Sequence, residues 1–106
     1  MAKFMLTASY SAEGLQGLFK DKATGRRAAV RQALESVGGK LESMYYALGD
    51  FDVVIIAEAP DAVAASALSL AASATGLVHT KTIALLTVEE TNKALATAVK
   101  FRGAGR

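Results

Sequence analysis

Apolar and polar residues alternate near the start of the chain, which is the pattern of a β-strand with one buried face. The predicted strand extends from Lys3 to Tyr10. One of its faces carries Phe4, Leu6, Ala8 and Tyr10, and the other carries Lys3, Met5, Thr7 and Ser9. We therefore expect the first face to join a core and the hydroxyls of the second face to lie outside it.

The apolar spacing then changes to that of a helix. Ser11 is a predicted helix cap, and a short helical segment around Leu15–Phe19 precedes a predicted break at Asp21–Gly25. A longer helix restarts after Thr24, its expected cap, and ends at Gly38-Gly39, because glycine accepts the left-handed conformation common at helix C-termini. The buried stripe of this helix consists of Ala29, Val30, Ala33, Leu34 and Val37.

A strand–turn–strand unit occupies the middle of the chain. The predicted second strand is Lys40 to Leu48 and the third is Asp52 to Glu58, with Gly49 in a tight hairpin turn. The run Val53–Ile56 is apolar at consecutive positions, and strand alternation puts its side chains on both faces of the sheet. Because one layer of helices covers only one of those faces, we expect the other face to pair with a second copy of the chain.

The last third of the chain predicts a helix, a strand and a further helix. Asp61 caps a helix that continues to Thr75 and stops at Gly76. A fourth strand spans Val78 to Leu86, and Thr87-Val88-Glu89-Glu90 has the Thr-x-x-Glu pattern of a capping box. The predicted anchors of the last helix are Val88, Leu95 and Val99.

The element order is β-α-β-β-α-β with an extra C-terminal helix, which indicates an α+β, ferredoxin-like fold. In that fold an antiparallel four-stranded sheet carries both main helices on one face. A chain of 106 residues, with 52% hydrophobic and 21% charged residues, fits one domain. We expect this domain to comprise residues 1–106, with residues 101–106 as a flexible tail.

Composition narrows the expected partners and cofactors. A net charge of +2 gives no reason to expect nucleic acid as a partner, and the uncharged stretch Ala62–Thr80 is too rich in serine for a membrane span. The chain has no cysteine, a single histidine (His79) and no phosphate-binding glycine loop, so neither a metal site nor a cofactor is expected. No secretion signal follows Met1, and the expected location is cytoplasmic.

Several segments of the chain are similar to those of a known family. Tyr45-Tyr46 precede Gly49-Asp50-Phe51-Asp52 and Val53–Ile56, and Glu58-Ala59-Pro60-Asp61 and Val78-His79-Thr80-Lys81-Thr82 follow. In these segments the chain resembles the GYD family of small bacterial proteins. The resemblance implies a dimeric α/β barrel and implies no particular activity. Phe51 stands where the family has a tyrosine, which removes a phenol hydroxyl.

Few side chains offer chemistry. Asp50 and Asp52 form either an acid/base pair or the ends of a turn, and His79 is either a general base or a structural histidine. Alternation puts His79 and Lys81 on one face of the fourth strand without revealing which face meets the helices. The catalytic candidates are His79, Asp52 and Tyr45, and the ligand-binding candidates are Thr7, Ser9, Tyr46, Asp50 and His79.

Three functions are compatible with this inventory. Ample contact surface and few convergent titratable groups favour a non-catalytic small-molecule-binding or interaction module that acts as a homodimer or larger homo-oligomer. The alternative is a small cofactor-independent enzyme, of the isomerase or monooxygenase type, that uses the barrel cavity with His79 as its base. The third is a structural assembly subunit. The enzyme interpretation requires His79 and a carboxylate or phenol to converge around a cavity.

Overall fold

The computed structural model describes residues 1–106 and contains four strands and three helices. Each predicted strand is present, and its ends lie within two residues of the predicted ones. The strands are β1 (Ala2–Tyr10), β2 (Lys40–Tyr46), β3 (Val53–Ala59) and β4 (Val78–Leu85), and the helices are α1 (Ala12–Ser36), α2 (Ala62–Ala74) and α3 (Val88–Ala96).

The strands form one antiparallel sheet in the order β2-β3-β1-β4, so that β1 lies between β3 and β4. The connections through α1 and α2 both cross the same face of this sheet. This arrangement confirms the predicted α+β, ferredoxin-like fold. The β2–β3 connection spans residues 47–52, longer than the tight turn expected, and Gly49 within it has a φ of 145°, which favours glycine.

The hydrophobic core lies between the helices and one face of the sheet. Phe4 and Leu6 of β1 pack there with Val53 and Ile55 of β3, and Leu34 of α1 is only 1% exposed. Only 10 of the 106 residues are buried, which is few for a chain of this length. Much apolar side-chain area therefore stays outside the core of a single subunit.

α1 is kinked at Lys22, whose backbone angles (φ 63°, ψ 165°) are not helical. The kink confirms the predicted break within residues 21–25. The predicted cap at Thr24 is wrong, because Thr24 lies inside the helix and Lys22 is the non-helical residue. Both ends of α1 agree with prediction. At the start, the Ser11 hydroxyl accepts a hydrogen bond from the Gly14 N–H, and after the last turn Gly38 has a left-handed φ of 80°.

α2 is joined to the sheet by hydroxyl groups as well as by apolar contacts. Its predicted cap is confirmed, because Asp61 Oδ1 accepts a hydrogen bond from the Ala64 N–H at 2.9 Å. Further along the helix, the hydroxyls of Ser69 and Ser73 lie 2.7 and 2.8 Å from Thr80 Oγ1 of β4. None of the helices in the structure has the length and apolar character required to cross a membrane.

α3 stands apart from the rest of the molecule. Its predicted capping box is confirmed: Thr87 Oγ1 accepts the Glu90 N–H (3.0 Å), and Glu90 Oε1 accepts the Thr87 N–H (2.8 Å). The predicted anchors Val88, Leu95 and Val99 are wrong, because every residue of residues 88–100 is exposed and Leu95 is 79% exposed. Apolar spacing was present, but no other element lies against it. The molecule is accordingly elongated, at 56 × 32 × 23 Å.

Candidate functional site

The sheet face opposite the helices, which we call the open face, is organised in rows by the strand register. At one end Lys3 is charged and paired, with its Nζ 2.9 Å from Glu42 Oε1 and 3.5 Å from Glu58 Oε1. The next row is apolar and consists of Ile56, Met5 and Ile83, side by side on β3, β1 and β4. A charged end therefore borders an apolar centre.

The apolar centre of the open face remains partly in contact with solvent in a single subunit. Ile83 is 48% exposed, and Ile56, Met5 and Val54 are half-buried. Their neighbours on adjacent strands shield them only from the side, since no helix covers this face. The consecutive apolar run of β3 thus divides as predicted, with Val53 and Ile55 in the core and Val54 and Ile56 on the open face.

A depression of about 260 Å³ opens at the other end of the open face. The register places Ser9 opposite His79 and Thr7 opposite Lys81, and the β2–β3 loop contributes Asp50 and Phe51. We call these six residues the polar depression. Four predicted ligand-binding residues, Thr7, Ser9, Asp50 and His79, thereby come together.

The chemistry of the polar depression suits a small polar molecule. Hydroxyls of Thr7 and Ser9 donate and accept hydrogen bonds, the Lys81 ammonium donates with a positive charge, and the Asp50 carboxylate accepts. Thr7, on the central strand, is only 8% exposed, so it forms the floor. No group of three His, Cys, Asp or Glu side chains occurs in the chain in a metal-binding arrangement.

Asp52 forms hydrogen bonds with backbone groups of neighbouring segments. Its Oδ2 accepts a hydrogen bond from the Tyr10 N–H at 2.8 Å, and its own N–H donates to the Ala8 carbonyl at 2.9 Å. The Asp52 carbonyl also accepts the Ala47 N–H at 2.8 Å. These bonds fasten the β2–β3 loop to the end of β1, which favours the turn interpretation over acid/base work for this carboxylate.

The adjacent tyrosines point to opposite sides of β2, as strand alternation predicts. Tyr45 lies on the open face beside Val54, is 65% exposed and does not line the polar depression. Tyr46 lies on the helix side, where burial, and then the neighbouring Tyr10 phenol, raise the pKa of its phenol; the Arg26 charge partly offsets this. Of the catalytic candidates, then, only His79 lines the polar depression.

A second cavity, of about 130 Å³, lies inside the subunit between the helices and the sheet. We call it the core cavity. Arg26 of α1 is the one charged residue in its wall, and Thr80 and Tyr10 are the other residues there with a polar side-chain group. Arg26 Nη1 is 3.6 Å from Asp21 Oδ2.

Sequence reasoning did not find the core cavity or the full polar depression. The available signal for the cavity was the pair of alanines, Ala29 and Ala33, in the buried stripe of α1, whose side chains are too short to fill the space beside them. The signal for Lys81 was its alternation with His79. Phe51 stands out only once the loop is seen to fold against the end of β1, and it presents a ring to the depression without a hydroxyl.

Comparison with known proteins identifies a family. The family model described as the GYD domain matches residues 4–95. Neither a curated protein nor a solved structure matches the chain. The family match begins within β1 and ends within α3, so it includes β2, β3, β4 and most of β1, together with the polar depression and the core cavity. The resemblance seen in the sequence is thus confirmed over residues 4–95, and the chain belongs to the GYD domain family.

Proposed function

We propose that this protein is a non-catalytic small-molecule-binding protein that acts as a homodimer or larger homo-oligomer. The observation that carries the proposal is the polar depression, a group of converging hydroxyl, ammonium, imidazole and carboxylate side chains on a sheet face that no helix covers. Pairing of two open faces would cover the apolar centre and enclose the depression at its edge.

The size of the open face supports pairing. Four strands spaced about 4.8 Å apart and about eight residues long span roughly 19 × 26 Å, or about 500 Å² in projection. Protruding side chains make the accessible area larger, close to the 800 Å² or so per partner that a stable interface buries. Apolar Ile56, Met5 and Ile83 at the centre and charged Lys3 at the rim give the usual distribution of an interface.

Enclosure supports ligand binding. Hydrogen bonds from Thr7, Ser9 and Lys81 to a ligand would strengthen when a second subunit excludes water, because the local dielectric constant falls. The ligand class that fits is a small oxygen-rich molecule with a negative group for Lys81 and a donor group for Asp50, such as a hydroxy acid or an amino acid.

Pairing is tested with Ile83→Lys, which places a charge in the centre of the open face. The matched control is Val63→Lys on α2, where the side chain is 78% exposed and faces away from the sheet. Sedimentation velocity and native mass spectrometry should show an oligomer for the unmodified chain and the Val63 variant, and a monomer for the Ile83 variant. A monomeric unmodified chain would refute the pairing.

Ligand binding is tested by titrating the protein with lactate, malate and serine, followed by ¹H–¹⁵N NMR. Shifts should centre on Thr7, Ser9 and Lys81 and should disappear in Lys81→Met. Lys100→Met, at an exposed position after α3, is the control. Native mass spectrometry of freshly purified protein adds a search for a retained molecule. An oligomer that gives no such shifts and retains no molecule would instead support the structural assembly subunit.

One observation favours the enzyme as a second candidate, namely that His79 and Asp50 line the same depression. In this function His79 would remove a proton from a bound substrate. The test is exchange of carbon-bound protons of the same three probes in D₂O, measured by NMR. Exchange that the unmodified chain accelerates and His79→Gln does not would support catalysis. Exchange at the uncatalysed rate in the presence of the unmodified chain would leave binding as the function.

A further inference from the structure

We infer that the core cavity is a binding site for a small carboxylic acid with a compact apolar body, such as a ring or a branched chain of about six carbons. The core cavity and the polar depression share no residue and lie on opposite faces of the sheet. This site is therefore additional to the one in the proposed function.

The size and lining of the core cavity select an apolar body. Its volume of about 130 Å³ is close to that of an apolar protein cavity of about 150 Å³ that stays dry and takes up benzene. Short side chains from three elements leave the space open: Ala8 on β1, Ala33 on α1 and Ala72 on α2. Ordered water needs two to four polar partners, and these mostly apolar walls offer them only at Arg26, Thr80 and Tyr10.

The charge of the cavity wall selects a carboxylate. Arg26 has five N–H donors, and its partner Asp21 lies at 3.6 Å, well beyond the roughly 2.7–2.9 Å of a charge-assisted hydrogen bond. The guanidinium thus keeps donors for a second carboxylate. Thr80, a second polar residue of the wall, is already bonded to the hydroxyls of Ser69 and Ser73 and does not compete for the ligand.

The position of Arg26 also orients the ligand. A neighbouring surface depression lies between the start of α1 and the α2–β4 loop, and Asp21 is part of its wall. It shares four lining residues with the core cavity: Tyr10, Arg26, Ala72 and Val78. An acid entering from that depression would place its apolar body among the alanines and leave its carboxylate at the half-exposed guanidinium. Gly14 fixes this entrance, because a Cβ there would lie 2.0 Å from the Leu77 carbonyl oxygen and would push α1 away from the loop.

The test uses benzoate as the charged probe and benzyl alcohol as a neutral probe of similar shape. Calorimetry should give one benzoate site per subunit, and ¹H–¹⁵N NMR shifts should centre on Ala29, Ala33 and Ala72. Arg26→Met should weaken benzoate binding by about tenfold or more and should change benzyl alcohol binding little. Arg31→Met, an exposed arginine of the same helix that does not line the cavity, is the control and should change neither.

A filling variant separates the cavity from the surface. Ala33→Leu should abolish binding of both probes, and Ala72→Val provides a smaller filler if the first variant does not fold, as judged by its thermal midpoint. The inference is overturned if benzoate does not bind, if Arg26→Met and Arg31→Met bind it equally, or if its shifts centre on Thr7 and Lys81. Ile83→Lys should leave benzoate binding unchanged, so this inference and the proposed function fail independently.

Discussion

Asp52→Ala should destabilise the fold, whereas the matched change Asp50→Ala should not. Asp52 Oδ2 is the acceptor for the Tyr10 N–H at 2.8 Å, a charge-assisted hydrogen bond in a half-buried position. Loss of such a bond, with the N–H left without a partner, costs about 1.5–3 kcal/mol. We expect a decrease of about 2 kcal/mol in the free energy of unfolding, or about 8 °C in the thermal midpoint for a chain of this size.

The two aspartates make a controlled comparison because they lie two residues apart in the same loop. Asp50 is exposed and lines the polar depression, so Asp50→Ala should change the unfolding free energy by less than about 0.5 kcal/mol. Asp52→Asn keeps an acceptor oxygen but loses the charge, and should cost about half as much as Asp52→Ala.

The assay is urea unfolding followed by circular dichroism, at one fixed protein concentration because association would shift the midpoint. Thermal unfolding under the same conditions gives a second measure. Equal stability of Asp52→Ala and Asp50→Ala would mean that the bond from the Tyr10 N–H to Asp52 does not stabilise the fold. An Asp52→Asn variant as unstable as Asp52→Ala would show that the charge, rather than the acceptor geometry, carries the whole effect.

Three further predictions concern single residues. Lys22→Gly should raise the free energy of unfolding, measured in urea, by about 1 kcal/mol, because the backbone conformation of Lys22 costs a non-glycine residue about 1–3 kcal/mol. The control is Lys20→Gly in a regular part of the helix, which should lower the free energy of unfolding by about 1 kcal/mol. Burial raises the pKa of the Tyr46 phenol, so the folded chain holds the phenol proton more tightly than the unfolded chain does. The free energy of unfolding should therefore fall as the pH rises above 10.0, the ordinary pKa of tyrosine. Tyr46→Phe should reduce that fall in urea unfolding at alkaline pH. Hydrogen bonds from Thr87 lower the pKa of the Glu90 carboxyl. The capping box of α3 should therefore stay intact above pH 4.5, the ordinary pKa of glutamate, and should be lost as the pH falls below 4.5. Amide hydrogen exchange in α3 should become faster over that range, and Glu90→Gln should remove the pH dependence.

The elements of the fold could be predicted because their signals are local. The alternation in β1, the left-handed glycine after α1 and the capping box of α3 each depend on residues within a few positions of one another. The cap at Thr24 was a local error of two residues, whereas the predicted anchors of α3 depended on distant contacts. Leu95 has the spacing of a buried helical residue, but spacing does not reveal whether another element lies beside it.

The candidate site was less predictable for the same reason. The pairing of Ser9 with His79 decides that His79 lies on the open face, and this pairing depends on the register between β1 and β4, which are far apart in sequence. The core cavity depends on how two helices cross the sheet, since alanines leave space only where the facing residue is also short. Hydroxyl, imidazole and carboxylate groups could be chosen as candidates from the sequence, but their convergence could not.

The small core and the uncovered open face lead to one final prediction about stability. If Ile83 and its neighbours become buried only when a second subunit binds, the free energy of pairing adds to the stability of the folded chain. The thermal midpoint must then rise with protein concentration. Ile83→Lys should abolish this dependence. Val63→Lys also replaces an apolar residue with lysine, but on the exposed side of α2, and should retain the dependence. The measurement is scanning calorimetry over a hundredfold range of concentration. A midpoint independent of concentration in the unmodified chain would mean that ten buried residues suffice for this fold.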